Sequence, residues 1–239
     1  MSKFDPTVAF AGRVGTEAEV KEGRNGNYVS FRFVRDFRNM DGSVKGSKWY
    51  TVNIDGLDSV PASIAKGAEI EVRGKQRISP ASEGGENRYS ISVEGVEDIG
   101  AVRLGKNGQP VESFAVEGRV GREPEVLTSK AGREYVKFSM AHNYSLRTEE
   151  GEWEDFPVWY DVVYFGDDLP DFVTKGALVS ARGVDEVRSY ESVKYGDTRE
   201  ACSLRAFNLG VPDNSAAVRV STPVDAAAKP SGDSFEAPF

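Results

Sequence analysis

The chain has 239 residues, a formal net charge of −8, one cysteine and one histidine. A lone Cys202 excludes a disulfide framework, and a lone His142 excludes a histidine-rich metal centre and leaves no ready base for a serine or cysteine nucleophile. No apolar run nears the length of a membrane span and no basic, apolar-cored leader opens the chain, so a soluble, cytoplasmic protein is expected.

Taken in order, Val8 to Val20 reads as one strand bent near Gly12 and Gly15. After the turn at Asn25-Gly26-Asn27, Val29 to Phe33 alternates, with Val29, Phe31 and Phe33 inward. Phe37 to Gly46 reads as a flexible loop, and Lys48 to Gly56 as a third strand. Asp58 to Ala65 is predicted as a short helix stopped by Gly67. Strands over Ile70–Ile78 and Tyr89–Val93 complete the first half.

Then the order starts again. Gly12-Arg-Val-Gly15 returns as Gly118-Arg-Val-Gly121, a shift of 106. Tyr28-Val-Ser-Phe31 returns as Tyr135-Val-Lys-Phe138 at 107, and Arg73-Gly74 as Arg182-Gly183 at 109. Collinear matches whose shift drifts slowly mark a duplicated domain with small loop insertions. Strands are predicted near 113–127, 133–144, 156–165, 177–190 and 198–208, with a helix near 167–174. Five strands with a helix between the third and fourth is the order of an OB-fold, a five-stranded Greek-key barrel. The predicted fold is all-β: two tandem OB barrels, at 1–104 and 113–210, a linker at 105–112 and a disordered tail at 211–239.

The most informative strand is Phe156-Pro-Val-Trp-Tyr-Asp-Val-Val-Tyr-Phe-Gly166. Tyr160, Val162 and Tyr164 share one parity; Trp159, Val163 and Phe165 share the other. An apolar core explains the first set, whereas large aromatics on an outward sheet face point to a partner. Trp49 repeats the arrangement beside inward Tyr50.

On these residues the second half resembles bacterial single-stranded DNA-binding proteins. Gly118 to Val126 resembles that family's first strand and Trp159 to Gly166 its third, and the terminal Asp233 to Phe239 resembles its acidic, Pro-Phe-ended tail tip. The resemblance implies a non-enzymatic, cofactor-free, nucleoid-associated protein that coats single-stranded DNA in replication, recombination and repair. It also implies a homodimer that presents four barrels.

By motif position it implies stacking residues Trp159, Phe165, Tyr144 and Tyr190 in the second barrel, and Trp49 and Phe37 in the first. The first barrel departs at Asp55, in place of the Phe, and at Ala81, in place of the fourth aromatic. Phosphate contacts are expected from Arg32, Arg35, Arg38, Lys48, Arg73, Lys75, Arg77, Lys137, Arg182 and Arg188. Asp233, Glu236, Pro238 and Phe239 are expected to dock partner proteins.

Charge complicates that picture. Residues 1–112 carry 16 basic and 16 acidic side chains, but residues 113–210 carry 12 against 18. The better stacking set therefore sits on the more acidic barrel, which suggests a division between phosphates and bases. A pair of β-sandwich adhesion modules remains an alternative that the acidity suits, with the aromatics then read as core. A hydrolase on a barrel scaffold is a third reading, for which Glu149, Glu150 and Glu152 are the nearest paired carboxylates.

Overall fold

A computed structural model describes residues 5–38, 43–80, 87–147, 151–166, 168–191 and 198–212, with the side chains of 187–191 and 198–200 outside that description. The first half forms β1 (Thr7–Val14), β2 (Glu19–Gly23), β3 (Gly26–Arg38), β4 (Val44–Asp55), β5 (Glu69–Ser79), β6 (Arg88–Val93) and the two-residue β7 (Ile99–Gly100). The second forms β8 (Ser113–Val120), β9 (Glu125–Thr128), β10 (Glu134–Arg147), β11 (Trp153–Tyr164), β12 (Leu178–Glu191) and β13 (Thr198–Gly210).

Each half closes into a five-stranded barrel. β1 pairs with both β3 and β5, β3 with β4, β4 in parallel with β6, and β6 with β5. The second ring runs β8, β10, β11, β13, β12 with the same single parallel pair, β11 with β13. One parallel pair among antiparallel neighbours is the OB arrangement the strand order implied. Closure removes the sheet edges that an open sheet would expose.

The barrels meet along β1 and β8, with Thr7 opposite Ala115, Val8 opposite Phe114 and Ala9 opposite Ser113. Under the repeat shift of 106, Val8 corresponds to Phe114, Thr7 to Ser113 and Ala9 to Ala115. The register is therefore symmetric, and a pseudo-two-fold axis passes through the Val8–Phe114 pair. The two interiors join there into one apolar core, with the Phe10 and Phe114 rings parallel at 6.5 Å between centroids.

Two expectations fail. The helices predicted at 58–65 and near 167–174 are absent; among the described residues the only helical turn is a short 3-10 turn at Val96–Asp98. Both segments instead fold as paired tight turns, closed by Ile64 N–H to the Pro61 carbonyl and by Val173 N–H to the Pro170 carbonyl, at 3.0 and 2.9 Å. Eight residues are too few to offset helix nucleation, and a proline inside them removes a donor and biases the residue before it towards extended backbone. Each segment's remaining task is to seal a barrel end, which buried Ile64 and Val173 do. The single strands expected over Val8–Val20 and near 113–127 are broken after Val14 and Val120, where the Gly15 and Gly121 N–H groups still donate to the Arg32 and Ser139 carbonyls at 2.7 and 2.8 Å before the chain turns away.

The linker is a small hairpin. Gly105 N–H donates to the Gln109 carbonyl at 2.8 Å, Leu104 bridges Pro110, and Gly108 takes a φ of 72° that favours glycine. From residue 213 on, the expected tail, with its docking residues Asp233, Glu236, Pro238 and Phe239, lies outside the described residues.

Candidate nucleic-acid interface

Strand parity decides which side chains face outward. Along β11, Tyr160 and Val162 are buried, while Trp153, Asp155, Trp159, Asp161 and Val163 lie on the other face. β10 supplies their cross-strand neighbours: Arg147 opposite Trp153, Ala141 opposite Trp159, Ser139 opposite Asp161 and Lys137 opposite Val163. Small Ala141 and Ser139 leave the Trp159 indole clear on that side.

Both outward tryptophans are seated on a glycine. A Cβ added to Gly121 would come within 2.5 Å of the Trp159 ring, and one added to Gly15 within 2.3 Å of the Trp49 ring. Trp49 retains 45% of its surface, and Trp159 is half-buried. The second glycine of each Gly-Arg-Val-Gly repeat is therefore part of the site.

The surroundings of the two indoles differ. Arg32 lies over the Trp49 ring at 5.7 Å and donates to Thr51 Oγ1 at 3.0 Å. In the second barrel Phe165 packs on Tyr135 at 5.3 Å between centroids, with the Arg133 guanidinium over its ring at 5.5 Å. Asp55, at the matching place in the first barrel, is exposed and offers no ring. Trp153, absent from the expected stacking set, is 69% exposed at the end of the β10–β11 ribbon, where Arg147 Nε donates to the Gly151 carbonyl at 3.2 Å. Its odd-numbered parity with Trp159 was the signal that pointed to it.

Two expected contact residues are corrected. Tyr144 is fully buried, its hydroxyl 3.3 Å from that of Tyr160 and its ring edge-on to His142, and burial drives its pKa up. The prediction treated residue 144 as the end of the strand, but β10 runs on to Arg147 and keeps Tyr144 on the inward parity. Arg35 is 1% exposed, and no phosphate reaches it. Its Nε and Nη2 donate to the Glu112 carboxylate at 3.0 and 2.8 Å, and Nη1 donates to Asp185 Oδ1 at 2.9 Å. Phe10 and Phe37 sandwich the guanidinium at 3.7 and 4.6 Å, so Phe37 has one face already occupied.

Several remaining cations already have acidic partners. Arg73 bonds Glu71 at 2.7 Å, Lys75 bonds Glu94 at 3.2 Å, and Arg38 lies 3.7 Å from Asp36. Arg77 lies 3.5 Å from Asp5 and donates to the Ser145 carbonyl of the second barrel at 2.7 Å. Burial opposes ionisation of Glu71, but hydrogen bonds from Arg103 and Arg73 overcome it and hold the carboxyl below its ordinary pKa.

Lys48 lies over the Tyr89 ring at 4.1 Å, Lys137 is half-buried on β10, and the Arg188 and Tyr190 side chains lie outside the described set. Arg73 and Arg182 are brought together by the pseudo-symmetry: with Arg103 they line a shallow depression of about 420 Å³ across the β1–β8 junction. That places them on different strands from the tryptophans, which sit on β4 and β11.

Among the described residues no three His, Cys, Asp or Glu side chains are grouped to hold a metal ion. Cys202 is buried, and its thiol is pushed up to about 12 by that burial. Among the described residues no helix is long and apolar enough to cross a membrane.

Residues 111–211 match the model of the Single-strand binding protein family. Over 102 residues the chain is 28% identical to the single-stranded DNA-binding protein of Borreliella burgdorferi, a match spanning 41% of this chain and 68% of that one. It is 29% identical over 101 residues to single-stranded DNA-binding protein 1 of Synechocystis, spanning 41% and 81%. Among solved structures, the wild-type single-stranded DNA binding protein of Thermus aquaticus aligns over 91% of this chain and 97% of its own at 13% identity, with a TM-score of 0.46. The resemblance read from the second half's motifs is borne out.

Proposed function

From a chain that carries the signature of the single-strand binding family over residues 111–211, we propose a protein that binds single-stranded DNA without sequence preference. The observation that carries this reading is the pair of glycine-seated, outward tryptophans at equivalent places on two closed barrels. Stacking on such platforms is sequence-tolerant because every base has a π-face, and it contributes about 1–3 kcal/mol per base. Trp153 extends the platform along the β10–β11 ribbon, six residues from Trp159 on the same face and so roughly 20 Å along the strand.

Because so many cations are paired with acids, stacking supplies more of the affinity than charge does. Intrinsic tryptophan quenching should saturate with oligothymidylate and stay weak with duplex; equal affinity for both forms would reject the reading.

The finer assignments rest on the resemblance. The chain acts in replication, recombination and repair, without catalysis or a cofactor, in the cytoplasm on nucleoid DNA. Two chains pair to present four barrels, which light scattering would read as twice 26.1 kDa. The tip carrying Asp233, Glu236, Pro238 and Phe239 recruits partner proteins, tethered at high local concentration on coated DNA. Removing Pro238 and Phe239 should abolish partner capture and leave DNA binding intact.

A further inference from the structure

The junction between the barrels is pseudo-symmetric in backbone and asymmetric in charge. Four buried polar side chains occupy two pairs of equivalent positions: Arg35 on β3 corresponds to His142 on β10, and Gln76 on β5 to Asp185 on β12. Across the junction Arg35 meets Asp185. It also meets Glu112, which stands just ahead of β8 where the first barrel has Pro6 ahead of β1. Glu112 reaches over further to accept the Ala11 N–H at 3.0 Å. Outside this cluster Lys45 ion-pairs Glu186, again one barrel to the other.

We propose that this cluster is a pairing key: the first barrel's β1 surface accepts the β8 surface of a second barrel, in its own chain or in another copy, and rejects a second copy of itself. In a first–first pairing with the same register, each Arg35 would face Gln76 and Pro6 in place of Asp185 and Glu112, with buried Asp5, already 3.5 Å from Arg77, as the acid nearest to it. In a second–second pairing, each His142 would face both Asp185 and Glu112, two acids to one weak base. Removing the partner of a buried charge is far costlier than the net gain of the pair itself, which makes such groups better at excluding wrong partners than at strengthening right ones. The duplication has thus produced two barrels that fit each other and no longer fit themselves.

The backbone register supplies the test. Residue 7 lies opposite 115 in the observed pairing; by the repeat shift it would lie opposite 9 in a first–first pairing, and 113 opposite 115 in a second–second pairing. Opposed positions of an antiparallel ladder are within disulfide range. The full chain, with a protease site in the exposed Lys106–Gln109 turn, is folded, cut, mixed with a second cut chain, unfolded in urea and refolded under oxidation.

Thr7→Cys chains mixed with Ala115→Cys chains should give the cross-linked first–second product. Thr7→Cys mixed with Ala9→Cys, and Ser113→Cys mixed with Ala115→Cys, should give about tenfold less of the homotypic products, or lower still. Adding Arg35→Gln should raise the first–first product several-fold. Homotypic products in yields comparable to the first–second one, or no first–second product at all, would overturn the proposal. An Arg35→Gln chain that still excludes first–first pairs would also overturn it.

Discussion

The first barrel buries an arginine where the second buries a histidine, and it leaves an aspartate where the second offers a phenylalanine. Strand order, closure, the seated tryptophan and the loop that plugs the barrel end are otherwise repeated. Duplication has kept what closes a barrel and has varied two surfaces: the one facing the sister barrel and the one facing outward. The first barrel has become the electrostatic half of the junction, and the second the more aromatic half of the outer face.

The largest effect that sharpens this contrast is on stability. Arg35→Ala leaves Asp185 and Glu112 without their partner and should cost about 3–5 kcal/mol in urea denaturation. His142→Gln, at the equivalent place, removes the hydrogen bond from Nδ1 to the Glu117 carbonyl and the edge-on contact with Tyr144, and should cost about 1–2 kcal/mol. Equal costs would show that the junction is not polarised as described.

Binding comes next. Trp159→Ala should lose about 1–3 kcal/mol of single-strand affinity, more than Trp49→Ala, because Phe165 and Trp153 continue the second platform and Asp55 ends the first. Equal losses would make the barrels equivalent in use. Smaller again is the salt response. Arg32→Gln should lower the slope of log affinity against log salt by about 0.7, the value for one phosphate on a single strand. Lys75→Gln should lower it less, since Glu94 already compensates that charge. Arg73 and Arg77, also expected from sequence among the phosphate contacts, are compensated in the same way by Glu71 and Asp5.

The smallest effect is the pH response of His142. Burial holds its pKa below the ordinary value, so between those two values the unfolded chain binds the extra proton and the folded chain does not. Its contribution is complete above the ordinary histidine pKa, about 6.5, and is lost as pH falls below it. Asp185 and Glu117, both raised by burial, act in the opposite sense, losing stability as pH rises through the carboxylate range. The difference between wild type and His142→Gln isolates the histidine; that difference should shrink from pH 7 to pH 5.

Much of this was legible in alternation alone. Tyr160 and Val162 inward and Trp159 outward follow from parity, as do Tyr50 and Trp49. Arg35 was legible by the same rule, sharing the parity of Val29, Phe31 and Phe33, but a charged residue invites an outward reading until its partners are known. Those partners, Glu112 and Asp185, stand 77 and 150 residues away, and no local pattern links them. Tyr144 was misplaced because polar residues around it suggested a loop while the ladder with β11 continued. The glycine seats were visible as repeats, but their purpose needed the indoles in place.

The central claim is tested most directly by ultraviolet cross-linking of oligothymidylate to the full chain, with the attached peptides sequenced. The account predicts adducts at Trp159, Phe165, Trp153 and Trp49, and none at buried Tyr144. Adducts concentrated at the β1–β8 junction beside Arg73 and Arg182, with the tryptophans unmodified, would contradict it.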